Sequence, residues 1–220
     1  MCFNYKVSLL TFLIGMVGSI LLIKYGNPIY YKENIVSGIF LIFIAGIQLM
    51  DFLFWIDLDN KLGINKITTI IGPLYNVGQP LILYIIKLVY FKPKDILSMK
   101  NYNLPVFILN FLYFISLMVN YISFLSSSTL ITGKKKGHLS WPWIDYFNPC
   151  FYLILLGINI FYLMDFQYSL ILFLIIYILF ILSVIYFSYN VGELWCFFGI
   201  FIPFIMLICS YIIGKKGYVS

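Results

Sequence analysis

The sequence contains no arginine, a single histidine and very little charge. All 14 basic residues among its 220 are lysines, charged residues make up 10% of the chain, 63% is hydrophobic, and the mean hydropathy is +1.00. A soluble domain has to cover most of its surface with charged and polar residues. This composition therefore excludes a soluble globular fold, and the single histidine excludes a haem held by two imidazoles.

Cysteine usage is also sparse. The four cysteines, Cys2, Cys150, Cys196 and Cys209, show no CxxC spacing and no secreted disulfide framework. Without a local ligand pair we expect no metal and no cofactor. Nucleophilic catalysis by a thiol would need His138, the only imidazole, as its base. The sequence therefore favours a non-enzymatic protein and leaves an enzyme open.

Long apolar stretches fill most of the chain. A helix of about 20 apolar residues crosses a hydrocarbon layer of about 30 Å. We therefore predict an all-α, polytopic integral membrane bundle of about seven transmembrane helices with short loops, in a single membrane domain spanning residues 1–220. The predicted helices cover residues 7–25, 35–56, 67–91, 104–125, 149–166, 168–188 and 194–214.

An odd number of spans would place the N- and C-termini on opposite membrane faces. We call the face of the N-terminus face A and the opposite face B. The lysines are divided between both predicted faces, so the positive-inside rule does not decide the orientation. The same division argues against nucleic-acid binding. The predicted partner is the lipid bilayer, and assembly into a homo-oligomer is left open.

Most of the predicted helices carry polar or small residues spaced three and four apart, which share one helix face. Lipid cannot satisfy polar groups, so these faces should turn towards one another, either as packing seams or as the lining of a conduction path. In the third helix, Asn76 and Gln79 precede Pro80. Proline removes a backbone donor and can free a carbonyl for a cation or polar solute. A structural kink with hydrogen bonds between helices is the alternative.

Asp51 is the strongest individual signal. It lies about 8 Å by helical rise inside the face A end of the second helix, and Gln48 lies one turn before it on the same face. An acid within a bilayer is a functional candidate by default, although it could instead reach the interface and be hydrated. We expect Asp51 to titrate or attract an ion, and Gln48, Asn76 and Gln79 to supply uncharged polar contacts.

Other polar residues are predicted at face A. Glu193 begins the last helix, where a carboxylate suits the helix dipole, and Cys196 lies one turn further in. Together with Cys2 they form a second candidate site, a thiol and carboxylate cluster. Glu193 is also a candidate binding or conduction residue, like Asp51.

Three residues, two tryptophans and a lysine, have simpler interpretations. Trp141 and Trp143 lie in the long loop of residues 126–148 and are typical of interfacial anchors; a lid over a site is the alternative. Lys87, in the third helix, is expected to extend its ammonium to the interface.

Three short segments carry a resemblance: the opening Met1-Cys2-Phe3-Asn4, the run from Gly46 to Trp55 that contains Asp51, and Trp195-Cys196-Phe197. They resemble a group of uncharacterised multi-pass proteins from large DNA viruses and microbes. Those proteins begin Met-Cys-Phe or Met-Cys-Trp and carry an acid, there Glu, late in the second helix. The resemblance implies a seven-helix membrane protein, in a host or virion membrane if the source is viral. It implies no activity.

The expected function is a small channel or transporter for protons, cations or a small polar solute, with Asp51 at its centre. Two alternatives stay open. One is a non-enzymatic structural or partner-binding protein of a viral or organellar membrane. The other is a sensor or intramembrane enzyme built on Cys2, Asp51, Glu193 and Cys196.

Overall fold

The computed structural model of the chain describes residues 4–93, 102–126, 130–135, 138–186, 195 and 197–216. These residues form eight α-helices and one short antiparallel hairpin. The helices are α1 (Tyr5–Tyr25), α2 (Tyr31–Ile56), α3 (Ile64–Val77), α4 (Gln79–Phe91), α5 (Asn103–Leu125), α6 (Pro149–Phe161), α7 (Phe166–Tyr186) and α8 (Ile202–Lys216), and the strands are β1 (Gly133–Lys135) and β2 (His138–Ser140).

Local side chains set several helix ends. The Asn4 side chain accepts from the Val7 backbone N–H at 3.0 Å and starts α1. Asn148 caps α6 in the same way, with Pro149 in the first helical position, where its missing N–H costs nothing. Such caps satisfy the free N–H groups that every helix start exposes.

Five segments are long and apolar enough to span a membrane. They are Tyr5–Tyr25, Pro28–Ile56, Asn103–Leu125, Phe166–Tyr186 and Phe197–Gly214. The pair α3 and α4 makes a sixth if it counts as one span, although its axes differ by 60°. The predicted all-α architecture with several helices long and apolar enough to span a membrane is thus confirmed, whereas seven spans are not.

The missing seventh span is the stretch predicted as a helix over residues 149–166. Its helix, α6, has 13 residues and rises only about 20 Å. It stops at Phe161 because Tyr162 is extended and Leu163 adopts a left-handed backbone conformation with φ +60°. The predicted third helix breaks at Gly78, just before the proline at position 80.

Close packing of small residues joins α1 to its neighbours. A Cβ at Gly15 would lie 2.8 Å from the Ala45 Cβ of α2, and one at Gly18 would lie 2.5 Å from the Phe204 ring of α8. Asn27, just after α1, donates its backbone N–H to the Ser210 hydroxyl of α8 at 3.1 Å. These contacts make α1 and α8 parallel neighbours, and the topology across a membrane stays a prediction.

Candidate functional site

The Asp51 carboxylate lies in the interior of the bundle. It sits five residues before the end of α2, and its side chain is 0% exposed. It therefore does not reach the surface. A carboxylate inside a spanning helix requires donors or a cation to offset its lost hydration.

The long loop supplies one such donor. Trp141 donates its indole Nε1–H to Asp51 Oδ1 at 3.2 Å. Its ring stacks on Trp143, with centroids 5.3 Å apart, and Trp143 fits against Gly72 of α3, where a Cβ would lie 2.5 Å from the indole. Trp141 is 4% exposed and Trp143 1%. The interpretation as interfacial anchors is therefore wrong: both rings are buried, and Trp141 covers Asp51.

Thr132 fixes the start of this cover. Its backbone N–H donates to Asn65 Oδ1 at 2.9 Å, and its carbonyl accepts from Asn65 Nδ2 at 2.9 Å. Its hydroxyl lies 2.8 Å from that of Thr69. The Asn65 side-chain amide thus bonds both backbone groups of Thr132, in the way that a residue of a neighbouring β-strand does.

Asp57 holds the turn that positions Asn65. Its carboxylate accepts backbone N–H bonds from Leu62 at 3.0 Å, Ile64 at 2.8 Å and Asn65 at 3.2 Å. Burial raises the pKa of Asp57, but these donors together with the Lys61 N–H outweigh it, and the pKa lies below its ordinary value. Asp57 is therefore a structural carboxylate.

Gln48 lies one turn before Asp51 and is 1% exposed. Its Oε1 lies 3.0 Å from the Thr11 hydroxyl of α1. Its Nε2 is buried and has no hydrogen-bond partner among the described residues. A buried amide nitrogen with no partner among the described residues, one helical turn from a buried carboxylate, marks this turn of α2 as the polar centre of the site.

The predicted contacts Asn76 and Gln79 lie at the break between α3 and α4. Gln79 Nε2 donates to Asn76 Oδ1 at 3.4 Å, and the Tyr152 hydroxyl of α6 donates to Gln79 Oε1. Among the described residues, no hydrogen bond joins this pair to Asp51 or Gln48. A cavity bordering Gln79 holds about 10 Å³, room for about one water.

The carbonyls near the break have protein donors. The Tyr113 hydroxyl donates to the Val77 carbonyl at 2.8 Å, and Asn159 Nδ2 donates to the Pro80 carbonyl at 2.8 Å. Asn159 also exchanges amide hydrogen bonds with Asn110 at 3.0 and 2.9 Å. These contacts favour the structural kink over a cation site at the break.

Sequence reasoning missed the role of Lys87. Its side chain is 0% exposed, and its ammonium donates to the carbonyls of Asn159, Ile160 at 2.8 Å and Tyr162 at 2.6 Å. The expectation that it extends to the interface is wrong: Lys87 caps the C-terminal end of α6. A signal was available, because Lys87 follows Gln79 by two helical turns and so lies on the same inner face.

Cys2, Glu193 and Cys196 lie outside the described residues, so the thiol and carboxylate cluster stays a prediction. Within the described part of the chain, no group of three or more His, Cys, Asp and Glu side chains could hold a metal ion.

Comparisons of the chain with protein-family models, with curated proteins and with solved structures found no match. The resemblance to multi-pass proteins of large DNA viruses and microbes accordingly stays a prediction.

Proposed function

We propose that the chain is an integral membrane protein that moves protons or a small monovalent cation across the bilayer, with Asp51 as the group that carries the charge. The observation that supports this most is the complete burial of Asp51 within a helix long enough to span the membrane. A buried acid costs free energy, so its retention in a span favours a functional use.

The loop over Asp51 supports a site closed at face A. Trp141 and Trp143 are stacked and buried, and the Trp141 indole donates directly to the carboxylate. A transporter needs such an arrangement, because a carrier must shut one side of its site before it opens the other. Movement of this loop would open Asp51 to face A.

A second candidate is a structural or partner-binding membrane protein without transport. It is favoured by the middle of the bundle, where Asn110 and Asn159 bond each other and Gln79 bonds Asn76 and Tyr152. The cavities there hold only about 10 Å³. The positive charge of Lys87 on the same inner face also opposes passage of a cation.

Flux into liposomes tests the proposal. The purified protein is reconstituted, and entry of protons and of radioactive sodium is measured for the wild type and for Asp51→Asn. Asp59→Asn is the matched control. It removes a carboxylate that lies just beyond the same end of α2, and the Asp59 side chain is 77% exposed. We expect ion flux in the wild type and in the control. In Asp51→Asn we expect the flux to fall to that of protein-free vesicles.

Two results would speak against transport. If well-folded wild type gave no flux of either ion, the second candidate would be favoured. If Asp51→Asn carried as much as the wild type, the carboxylate would have no part in conduction.

A further inference from the structure

An apolar groove lies along the outer side of α1 and α2, at the face A end of both helices. It is lined by apolar side chains of the two helices and by one lysine, among them Leu9, Leu13, Phe52, Ile56 and Lys6. The groove holds about 550 Å³, a volume within the range of sites that bind small molecules. Leu13 is 51% exposed and Ile56 47%, so the groove is open to the surroundings of the bundle. We call it the α1–α2 groove.

The depth of the α1–α2 groove matches one leaflet of a bilayer. Along α1 it extends from Tyr5 to Leu13, a rise of about 12 Å, and on α2 it reaches Ile56, the last residue of that helix. One leaflet contributes about 15 Å of hydrocarbon, half of about 30 Å. Tyr5 is 49% exposed, and a tyrosine at the end of a span is typical of the membrane interface. The groove therefore has the depth that an acyl chain of one leaflet occupies.

The charge at the face A end of the groove is positive. Lys6 is exposed, its ammonium lies 5.9 Å from the centroid of the Tyr5 ring, and it forms no ion pair among the described residues. The two carboxylates just beyond α2 have other partners. Asp57 accepts hydrogen bonds from backbone N–H groups, and Asp59 lies 3.8 Å from the Lys61 ammonium. The Lys6 ammonium is thus available to an anion at the interface.

Two comparisons within the chain distinguish this groove. The Lys24 ammonium lies 5.3 Å from the centroid of the Tyr25 ring, the same pairing at the opposite end of α1, but Lys24 is outside the groove. A larger groove of about 720 Å³ beside α5, α6 and α7 is lined by uncharged residues, among them Val106, Ile158 and Tyr177. The α1–α2 groove combines an apolar channel with a cation at the interface, the two features that attract an anionic lipid.

We propose that the α1–α2 groove binds an anionic phospholipid of the face A leaflet, with one acyl chain along Leu9, Leu13 and Phe52 and with the phosphate at the Lys6 ammonium. Contact with the groove removes apolar surface of the helices from other surroundings, and the ammonium selects the charge of the headgroup. The inference goes beyond the proposed function, because it requires the bilayer but not the Asp51 carboxylate.

Native mass spectrometry of the purified full-length protein tests the proposal. The protein in detergent is titrated with phosphatidylglycerol or with phosphatidylcholine of the same acyl chains, and the affinity for the first bound lipid is measured. We expect the wild type to bind phosphatidylglycerol more tightly than phosphatidylcholine. Lys6→Gln should bind phosphatidylglycerol about fivefold more weakly, with its affinity for phosphatidylcholine unchanged. Lys24→Gln, at the opposite end of the same helix, is the matched control and should bind as the wild type does.

A second pair of variants tests the groove itself. Leu13→Trp places a larger side chain in the groove and should weaken the binding of both lipids. Ile20→Trp, at a position that is 50% exposed on the same helix and outside the groove, should not. Lys6→Arg keeps the positive charge and should retain the preference for phosphatidylglycerol.

Three results would overturn the proposal. They are equal affinity of the wild type for the two lipids, equal affinity of Lys6→Gln and the wild type for phosphatidylglycerol, and unchanged lipid binding by Leu13→Trp. A wild-type dimer that Leu13→Trp dissociates would also overturn it, because a second copy of the chain would then occupy the groove.

Lipid binding and ion flux distinguish the two proposals. Asp51→Asn should bind phosphatidylglycerol as the wild type does. Selective lipid binding by a wild type that gives no flux would reject transport and keep the lipid site. Flux that requires Asp51, without selective lipid binding, would keep transport and reject the lipid site.

Discussion

Replacing Lys87 with methionine should lower the free energy of unfolding by about 3 kcal/mol. Methionine fills the space of the lysine stem but has no donor for the end of α6. The Lys87 ammonium donates hydrogen bonds to three carbonyls, those of Asn159, Ile160 and Tyr162. The substitution therefore tests whether this buried cation caps the helix.

The magnitude follows from counting what each carbonyl loses. The Ile160 carbonyl keeps the Ser169 hydroxyl as a donor at 3.0 Å, whereas those of Asn159 and Tyr162 lose the ammonium. At about 1–2 kcal/mol for each buried carbonyl, these two contribute about 2–4 kcal/mol. Loss of a cation at a helix C-terminus adds up to about 1 kcal/mol. Release of the burial cost of the ammonium acts in the opposite direction.

Reversible unfolding in mixed detergent micelles measures the effect, followed by far-ultraviolet circular dichroism. Lys66→Met is the matched control, since Lys66 is exposed in the first turn of α3. Its effect should stay within about 0.5 kcal/mol, as for other surface changes. A Lys87→Met protein as stable as this control would refute the capping role.

Three further predictions concern stability. Trp141→Phe should lower the free energy of unfolding by about 1–3 kcal/mol because Asp51 loses a donor. Trp143→Phe should lower it less, since the Trp143 Nε1 has no partner among the described residues. Equal losses in the two variants would contradict this. Gly15→Ala should destabilise by about 1–3 kcal/mol, unlike Gly133→Ala, whose Cβ meets nothing within 4 Å. The lowered folded-state pKa of Asp57 means that its contribution is present above the unfolded-state pKa and is lost as pH falls through the folded-state pKa. Unfolding of Asp57→Asn should therefore differ from the wild type at neutral pH and converge with it in acid, and a constant difference would contradict this.

The apolar stretches predicted most of the helices, because a run of about 20 apolar residues has few other stable forms. The predicted 35–56 and 104–125 correspond to α2 (Tyr31–Ile56) and α5 (Asn103–Leu125). The end of α6 could not be predicted in this way. It depends on Leu163 adopting a positive φ and on Lys87, which is more than 70 residues away in sequence.

The candidate site was predictable only in part. An acid within an apolar stretch identified Asp51, and helical spacing added Gln48. Its cover was not predictable, because Trp141 is 90 residues from Asp51 and its burial depends on how the loop packs. Tryptophan in a loop next to a span is usually interfacial, and here Gly72 provides the close approach that buries Trp143 instead.

The measurement that tests the central claim most directly is the ratio of ion flux in liposomes between wild-type protein and Asp51→Asn, at equal reconstitution. If Asp51 carries the charge, the wild type conducts protons or sodium and the variant does not exceed empty vesicles. Flux of equal size in both proteins, or none in a folded wild type, would contradict the account.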